Sequence, residues 1–282
     1  MGLFEKKKID ICKQVKEHNK LLDCYTVGDD VGNYLMYKYI NMEVALSSIR
    51  SGKIKIRFQH PSKWKDKYET LFYNADYSKI TNDKLLTPKL YACCFTLKKV
   101  CEAAWSMYAK NSGIGKNCVQ FKISRSKFRD ELVKFANANG FKVYEGLVDY
   151  RKQYEIDNLY HKSSEYDNNM KIKHLKRLHE ELFCGDFKID NYLSLLLLKR
   201  DSFSYEKEYR FFLVPTRGDR LKFVDVEIPV ESVISGIMVS ECCKKSYLNV
   251  FSELCKKESI SNKIAIDNTY SLHNNKNITI EK

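Results

Sequence analysis

The sequence predicts an α+β protein, a single domain with a mixed or antiparallel sheet core and a helical insertion. Three observations predict it. Lys53 to Phe58, KIKIRF, alternates apolar and charged residues strictly, as a half-buried strand does. Further strand-like runs lie near both ends of the chain, whereas residues 151–198 read as mostly helical and highly charged. No repeat, heptad or low-complexity tract interrupts this order. The 282 residues, 44% of them hydrophobic, suffice for a sizeable core, and four prolines with eleven glycines argue against a flexible linker.

Taken in order, residues 3–24 show the apolar spacing of an amphipathic helix, so residues 1–30 are expected to form an N-terminal helical segment. The α+β domain then covers 31–270, and the polar stretch 271–282 forms a tail. Asn33 to Ile40 has aromatic strand character, Asn41 is placed to cap a helix over Met42 to Arg50, and Ser51-Gly52 ends it. Residues 59–73 read as a loop with a short helix. Lys89 to Leu97 reads as a strand and Val100 to Asn111 as a helix broken by Gly113-Ile114-Gly115. Beyond these come strands over 118–123 and 141–150, a helix over 126–139, and the insertion. Strands over 222–228 and 234–239, a helix over 246–257 and a short strand over 263–266 complete the pattern.

The densest chemistry lies in Ser202 to Pro215, SFSYEKEYRFFLVP, where Glu206, Lys207, Glu208 and Arg210 border apolar segments. Read as a strand, Glu206, Glu208 and Arg210 share one face, and Tyr205, Lys207 and Tyr209 share the other. Unpaired charge at a core edge is costly. Such a face is therefore either a carboxylate–Arg brace or a site with perturbed proton affinities, and the pattern alone leans slightly to the brace.

The net charge of +13 favours anionic partners such as nucleic acid or nucleotides, but no dense arginine stripe indicates specific readout. The N-terminus lacks an apolar signal-peptide core, and no run approaches the roughly 20 apolar residues that span a bilayer. A cytoplasmic chain with reduced cysteines and no membrane partner is expected. Gly2 invites a myristoylation check, which Lys6 fails because Ser or Thr is expected there. Cys93-Cys94 and Cys242-Cys243 lack the CxxC spacing of a zinc site, and His174 and His179 miss the i, i+4 spacing, so no metal is expected. No GxGxxG, P-loop, GxSxG or HExxH pattern occurs. Trp105, Met107 and Tyr108 have helical spacing, more often a core pattern than a ligand contact, yet they end at a glycine break that could border a pocket.

Several stretches, in order, carry a resemblance. They are Tyr37-Lys38-Tyr39, KIKIRF, Asp66-Lys67-Tyr68-Glu69, Cys94-Phe95-Thr96, Trp105-Ser106-x-Tyr108, Tyr205-Glu206-x-Glu208-Tyr209-Arg210 and Ile228-Pro229-x-Glu231-x-Val233-Ile234. Over roughly residues 34–245 they resemble a bacterial domain-of-unknown-function family, number twenty-nine seventy-one, whose members are associated with defence or toxin systems. The order of motifs is also similar to that of ADP-ribosyltransferases. That likeness implies an ADP-ribosyltransferase-type fold and NAD as a substrate, with no metal. It implies Glu208 as catalytic carboxylate with Glu206 and Arg210 shaping the site. Lys38 or Tyr39 would lie on the adenosine ribose side, Thr96 in the middle motif, and Tyr108, with Trp105 beside it, against nicotinamide. Lys38 stands where those enzymes carry His or Arg. The rival expectation is a non-enzymatic basic sensor or binding module of a phage-defence system, contacting nucleic acid, nucleotide or a protein partner, with its Glu–Arg cluster purely structural.

Overall fold

A computed structural model describes residues 15–19, 24–27, 34–70, 90–99, 101, 103–105, 118–156, 193–216, 221–239, 245–257 and 265–268. Among these the strands are β1 (Val15–Asn19), β2 (Cys24–Val27), β3 (Leu35–Asn41), β4 (Lys53–Gln59), β5 (Tyr91–Thr96), β6 (Cys118–Ser124) and β7 (Phe141–Leu147). Six more follow: β8 (Asp149–Arg151), β9 (Leu198–Arg200), β10 (Glu208–Pro215), β11 (Phe223–Pro229), β12 (Ile234–Val239) and β13 (Ala265–Asn268). The α-helices are α1 (Met42–Ser51), α2 (Arg125–Asn139), α3 (Val230–Val233) and α4 (Lys245–Lys257). Short 3-10 turns occupy Pro61–Lys63, Lys67–Thr70 and Asp201–Glu206. The chain is α+β, with a mixed, mostly antiparallel sheet. No helix among the described residues is long and apolar enough to cross a membrane.

The chain divides into two compact units, each assembled from three stretches. The first comprises Met1–Tyr34, Ile56–Leu97 and Arg129–Val226. Its strands run β1-β2-β7-β10-β5, antiparallel except for the parallel β2–β7 pair. β8 and β9 form a separate parallel pair. β10 is central and covered on both faces: Tyr209, Arg210, Phe211, Phe212 and Leu213 are all buried, as expected where side chains of both parities meet packed layers. Phe211 packs edge-on against Phe95 of β5 at 5.7 Å between ring centroids.

The second unit comprises Leu35–Lys55, Lys98–Phe128 and Glu227–Lys282. Its strands run β3-β6-β12-β13, antiparallel except for the parallel β12–β13 pair. α1 is bounded as its sequence dictates. Asn41 Oδ1 accepts a hydrogen bond from the Glu43 amide at 2.8 Å, and Gly52 takes the left-handed conformation at φ 67°, where its N–H donates to the Ile49 carbonyl. Met42, Ala45 and Ile49 form its buried stripe, and α1 packs against α4.

The helix expected over 3–24 is not what the described part of that stretch forms. Val15–Asn19 is a strand paired antiparallel with Cys24–Val27. The sheet edge offered by β7 decides it, since β2 adds to β7 and β1 to β2, and such pairing overrides a helical apolar pattern. The strand expected over 141–150 breaks at Val148, whose N–H donates to the Glu208 carbonyl at 3.0 Å. Most of the insertion expected over 151–198, most of the helix expected over 100–111, and the tail 271–282 lie outside the described residues.

Candidate functional site

The charged cluster of the first unit is built on the start of β10. Glu208 is the first residue of that strand, opposite Thr96 of β5, and Arg210 follows on the same face. The sequence pattern placed Glu206 on that strand as well. In the structure Asp201–Glu206 is instead a 3-10 turn, and Lys207 at φ 42°, ψ 58° is left-handed. Glu206 therefore reaches the cluster from a turn, not by alternation. Thr96 secures this turn: its hydroxyl donates to the Glu206 carbonyl, while the Leu97 N–H donates to the Lys207 carbonyl at 2.9 Å.

Two residues from elsewhere complete the cluster. Lys199, on β9, is 5% exposed. Its Nζ lies 2.5 Å from Glu206 Oε2, 3.1 Å from Glu208 Oε1 and 3.2 Å from Glu69 Oε1. Arg210, 1% exposed, donates from Nε to Glu208 Oε2 at 2.8 Å and from Nη1 to the Leu196 carbonyl at 2.5 Å. Its Nη2 donates to both Glu69 and Glu208, and its guanidinium lies 4.3 Å from the Trp64 ring centroid. Tyr150 Oη accepts from the Glu208 amide at 2.9 Å. At the rim, Arg200 pairs with Asp66 at 2.8 Å and stacks on Tyr68 at 4.6 Å.

Three glutamates thus face two cations in a place nearly closed to water. One proton would balance them, and the surroundings favour Glu206 as its holder. Burial, then the adjacent Glu208, pushes the Glu206 carboxyl up to about 7 despite Lys199. Burial alone would raise Glu208 too, but Arg210 and Lys199 hold it well below the usual carboxylate range. Burial opposes the charge on Lys199 and on Arg210, yet the glutamates around them raise both. Below about pH 7 the surroundings therefore favour a proton on Glu206 beside an anionic Glu208.

Of the residues singled out in the sequence, Thr96, Glu206, Glu208 and Arg210 come together here. Lys38, Tyr39 and Trp105 belong to the second unit, and Tyr108 lies outside the described residues. Tyr39 packs edge-on against Trp105 at 4.9 Å between centroids. Lys38 is half-buried on β3, opposite Phe121. Lys199 escaped the sequence reading. The available signal was a Lys-Arg pair following directly on Leu195 to Leu198, where a strand entering the core carries its first charge with it.

The family model described as Protein of unknown function (DUF2971) matches residues 104–211, a span that holds Trp105, Glu206, Glu208 and Arg210. The expected likeness to that family therefore holds over this stretch, while Tyr37 to Tyr39, KIKIRF and Cys94 to Thr96 lie before it. Among solved structures the chain is similar to Thermus sp. 2.9 DarT in complex with NAD+, at 9% identity and a TM-score of 0.34, covering 85% of this chain and 97% of that one. It is likewise similar to the same protein in complex with carba-NAD+, at 10% identity and a TM-score of 0.33, covering 84% and 96%. No curated protein matches the sequence.

Proposed function

We propose that the chain is an ADP-ribosyltransferase-like protein of a bacterial defence or toxin type, with NAD as its substrate, modifying a macromolecule or hydrolysing NAD. The observation that carries this reading is the Glu206–Glu208 pair, two carboxylates two residues apart whose surroundings drive their proton affinities in opposite directions. Such divergence marks a division between acid–base and electrostatic roles. Breaking the nicotinamide–ribose bond sends its electron pair out with nicotinamide and leaves positive charge on the ribose carbon. A fixed carboxylate stabilises that charge. Glu208 takes this role. The acceptor oxygen or nitrogen then bonds to the same carbon and loses a proton, which Glu206 accepts when ionised. Arg210 is a positioning residue that keeps Glu208 anionic and oriented. Lys38, Tyr39, Thr96, Trp105 and Tyr108 are the proposed NAD-binding residues, on the motif likeness alone.

One observation favours a second reading. Glu208 already accepts from Lys199 on one oxygen and from Arg210 on the other, as a purely structural brace would. In that case the chain is a non-enzymatic basic sensor or binding module that contacts nucleic acid, nucleotide or a protein partner.

Nicotinamide release from NAD, followed with and without cell extract, separates the two. The enzyme reading expects release that Glu208→Gln lowers on the order of a hundredfold, in protein that still shows a cooperative melt. Absence of release in both conditions, or release that Glu208→Gln leaves intact, ends it.

A further inference from the structure

Lys199 has no part in the proposed reaction, yet it stands where the reaction places its positive charge. It donates hydrogen bonds to Glu206 at 2.5 Å and to Glu208 at 3.1 Å, and it pairs with Glu69 at 3.2 Å. Both oxygens of Glu208 are thereby engaged, Oε1 by Lys199 and Oε2 by Arg210. A carboxylate stabilises a developing cation through its negative potential, and an ammonium in contact with it cancels much of that potential. The two cations are held differently. Arg210 lies on the same strand as Glu208, and its Nη1 is anchored on the Leu196 carbonyl at 2.5 Å. Lys199 comes from β9, which among the described residues pairs with β8 in a separate two-stranded sheet. Its flexible four-carbon stem ends nearer to Glu206 than to Glu208. β9, the turn Asp201–Glu206 and β10 follow one another in the chain, so lysine and both carboxylates belong to one local unit.

We infer that Lys199 is an autoinhibitory latch, an internal ammonium that occupies Glu208 in place of the positively charged ribose carbon until ionised Glu206 draws it away. The inference rests on the enzyme reading of Glu208 and names the regulation of that same site. Glu206 faces Lys199 of β9 and Glu208 of β10. Glu69, Arg210 and Tyr150 complete the charged and titratable surroundings, with Cys94 of β5 near Arg210. While Glu206 holds a proton, Glu208 is the stronger partner for the ammonium, and the latch is closed. Loss of that proton, at about pH 7, places a full negative charge 2.5 Å from Lys199 and shifts the ammonium toward Glu206. Arg210 stays on Oε2 and keeps Glu208 anionic, so Oε1 alone is released. One proton passes from Glu206 to solvent, and one ammonium moves between neighbouring carboxylates. This is a local charge change that biases a two-position element.

Two readouts test the latch, one of them independent of activity. The first is NMR of the full chain with isotope-labelled lysine ammonium groups, the Lys199 signal being the one that Lys199→Met removes. That signal should step in chemical shift as pH passes through about 7, and Glu206→Gln should abolish the step. The second is nicotinamide release from NAD. At about pH 6, where Glu206 is protonated, Lys199→Met should release nicotinamide about tenfold faster than the parent, the effect of one charge-assisted hydrogen bond removed. The two rates should converge by about pH 8, where ionised Glu206 has already opened the parent. Lys199→Met leaves three buried carboxylates to Arg210, so the charge-balanced Lys199→Met/Glu69→Gln is measured beside it and should show the same gain. The inference is overturned if these variants, shown folded by a cooperative melt, release nicotinamide no faster than the parent at about pH 6, because Lys199 then only supports Glu208. A Lys199 signal that ignores pH overturns it as well. If parent and variants are all silent toward NAD, the enzyme reading itself falls and takes the inhibitory role with it.

Discussion

Arg210 is 1% exposed and donates hydrogen bonds to Glu69, Glu208 and the Leu196 carbonyl, so removing it leaves two buried carboxylates to Lys199 alone. Breaking a buried pair from one side costs about 3–5 kcal/mol. Arg210→Met is expected to lose that much in urea unfolding at pH 7. The deficit should shrink as pH falls, because glutamates no longer held ionised can take up protons. Glu206 gives a second prediction with the opposite slope. Its carboxyl rises from an ordinary 4.5 to about 7, so between these values the folded chain holds a proton that the unfolded chain has released. Stability from this group is full below pH 4.5 and declines as pH rises through 7. Glu208 works the other way: its contribution is present above 4.5 and lost as pH falls below it. Urea midpoints of the parent should fall between pH 4.5 and 7, and Glu206→Gln should flatten that slope. A parent curve that is flat in this window would mean that Glu206 keeps an ordinary carboxyl.

At the scale of elements, the turn before β10 sets where both glutamates point, and its weak place is Lys207. A non-glycine residue in the left-handed region costs about 1–2 kcal/mol, whereas glycine loses roughly 0.5–1 kcal/mol through a freer unfolded chain. Lys207→Gly should therefore be neutral or stabilising by up to about 1 kcal/mol, read as a thermal shift. Gly52, at φ 67°, should respond in the opposite sense. Nothing lies within 4 Å of an added Cβ, so Gly52→Ala pays backbone strain alone, about 1 kcal/mol. These two positions also show what could be read in advance. The cap at Asn41, the stop at Gly52 and the alternation of KIKIRF are local rules, and all three hold because each is decided within a few residues. Val15–Asn19 was misread because its apolar spacing fits a helix, and only the edge of β7, more than a hundred residues away, makes it a strand. The turn at Asp201–Glu206 was hidden for a different reason. Glu206, Glu208 and Arg210 alternate perfectly, and a left-handed lysine leaves no mark in composition. Glu208 and Arg210 were legible as partners because only Tyr209 lies between them, which puts both on one face of a strand. Glu69 and Lys199 join them through topology, which no local spacing encodes.

For the molecule as a whole, the excess of 13 positive charges outlasts any assignment of the site. Most of it is lysine and scattered, without the arginine stripe of a specific reader, so attraction to phosphate should be long-ranged and indifferent to sequence. Binding of this kind is driven by counterion release. A contact with six to ten phosphates loses on the order of 10³ to 10⁵ in affinity between 50 and 200 mM salt. Duplexes of unrelated sequence should bind the chain alike at low salt and release it together as salt rises, in fluorescence anisotropy. Glu208→Gln should leave that binding curve in place, because one residue 12% exposed in a paired cluster adds little to the outer field. If the same variant abolishes nicotinamide release while the anisotropy curve stays put, basic surface and carboxylate site are separate functions of one chain. If one duplex binds far more tightly than the rest and resists salt, the charge is organised for readout, and the sensor reading gains the ground that the enzyme reading loses.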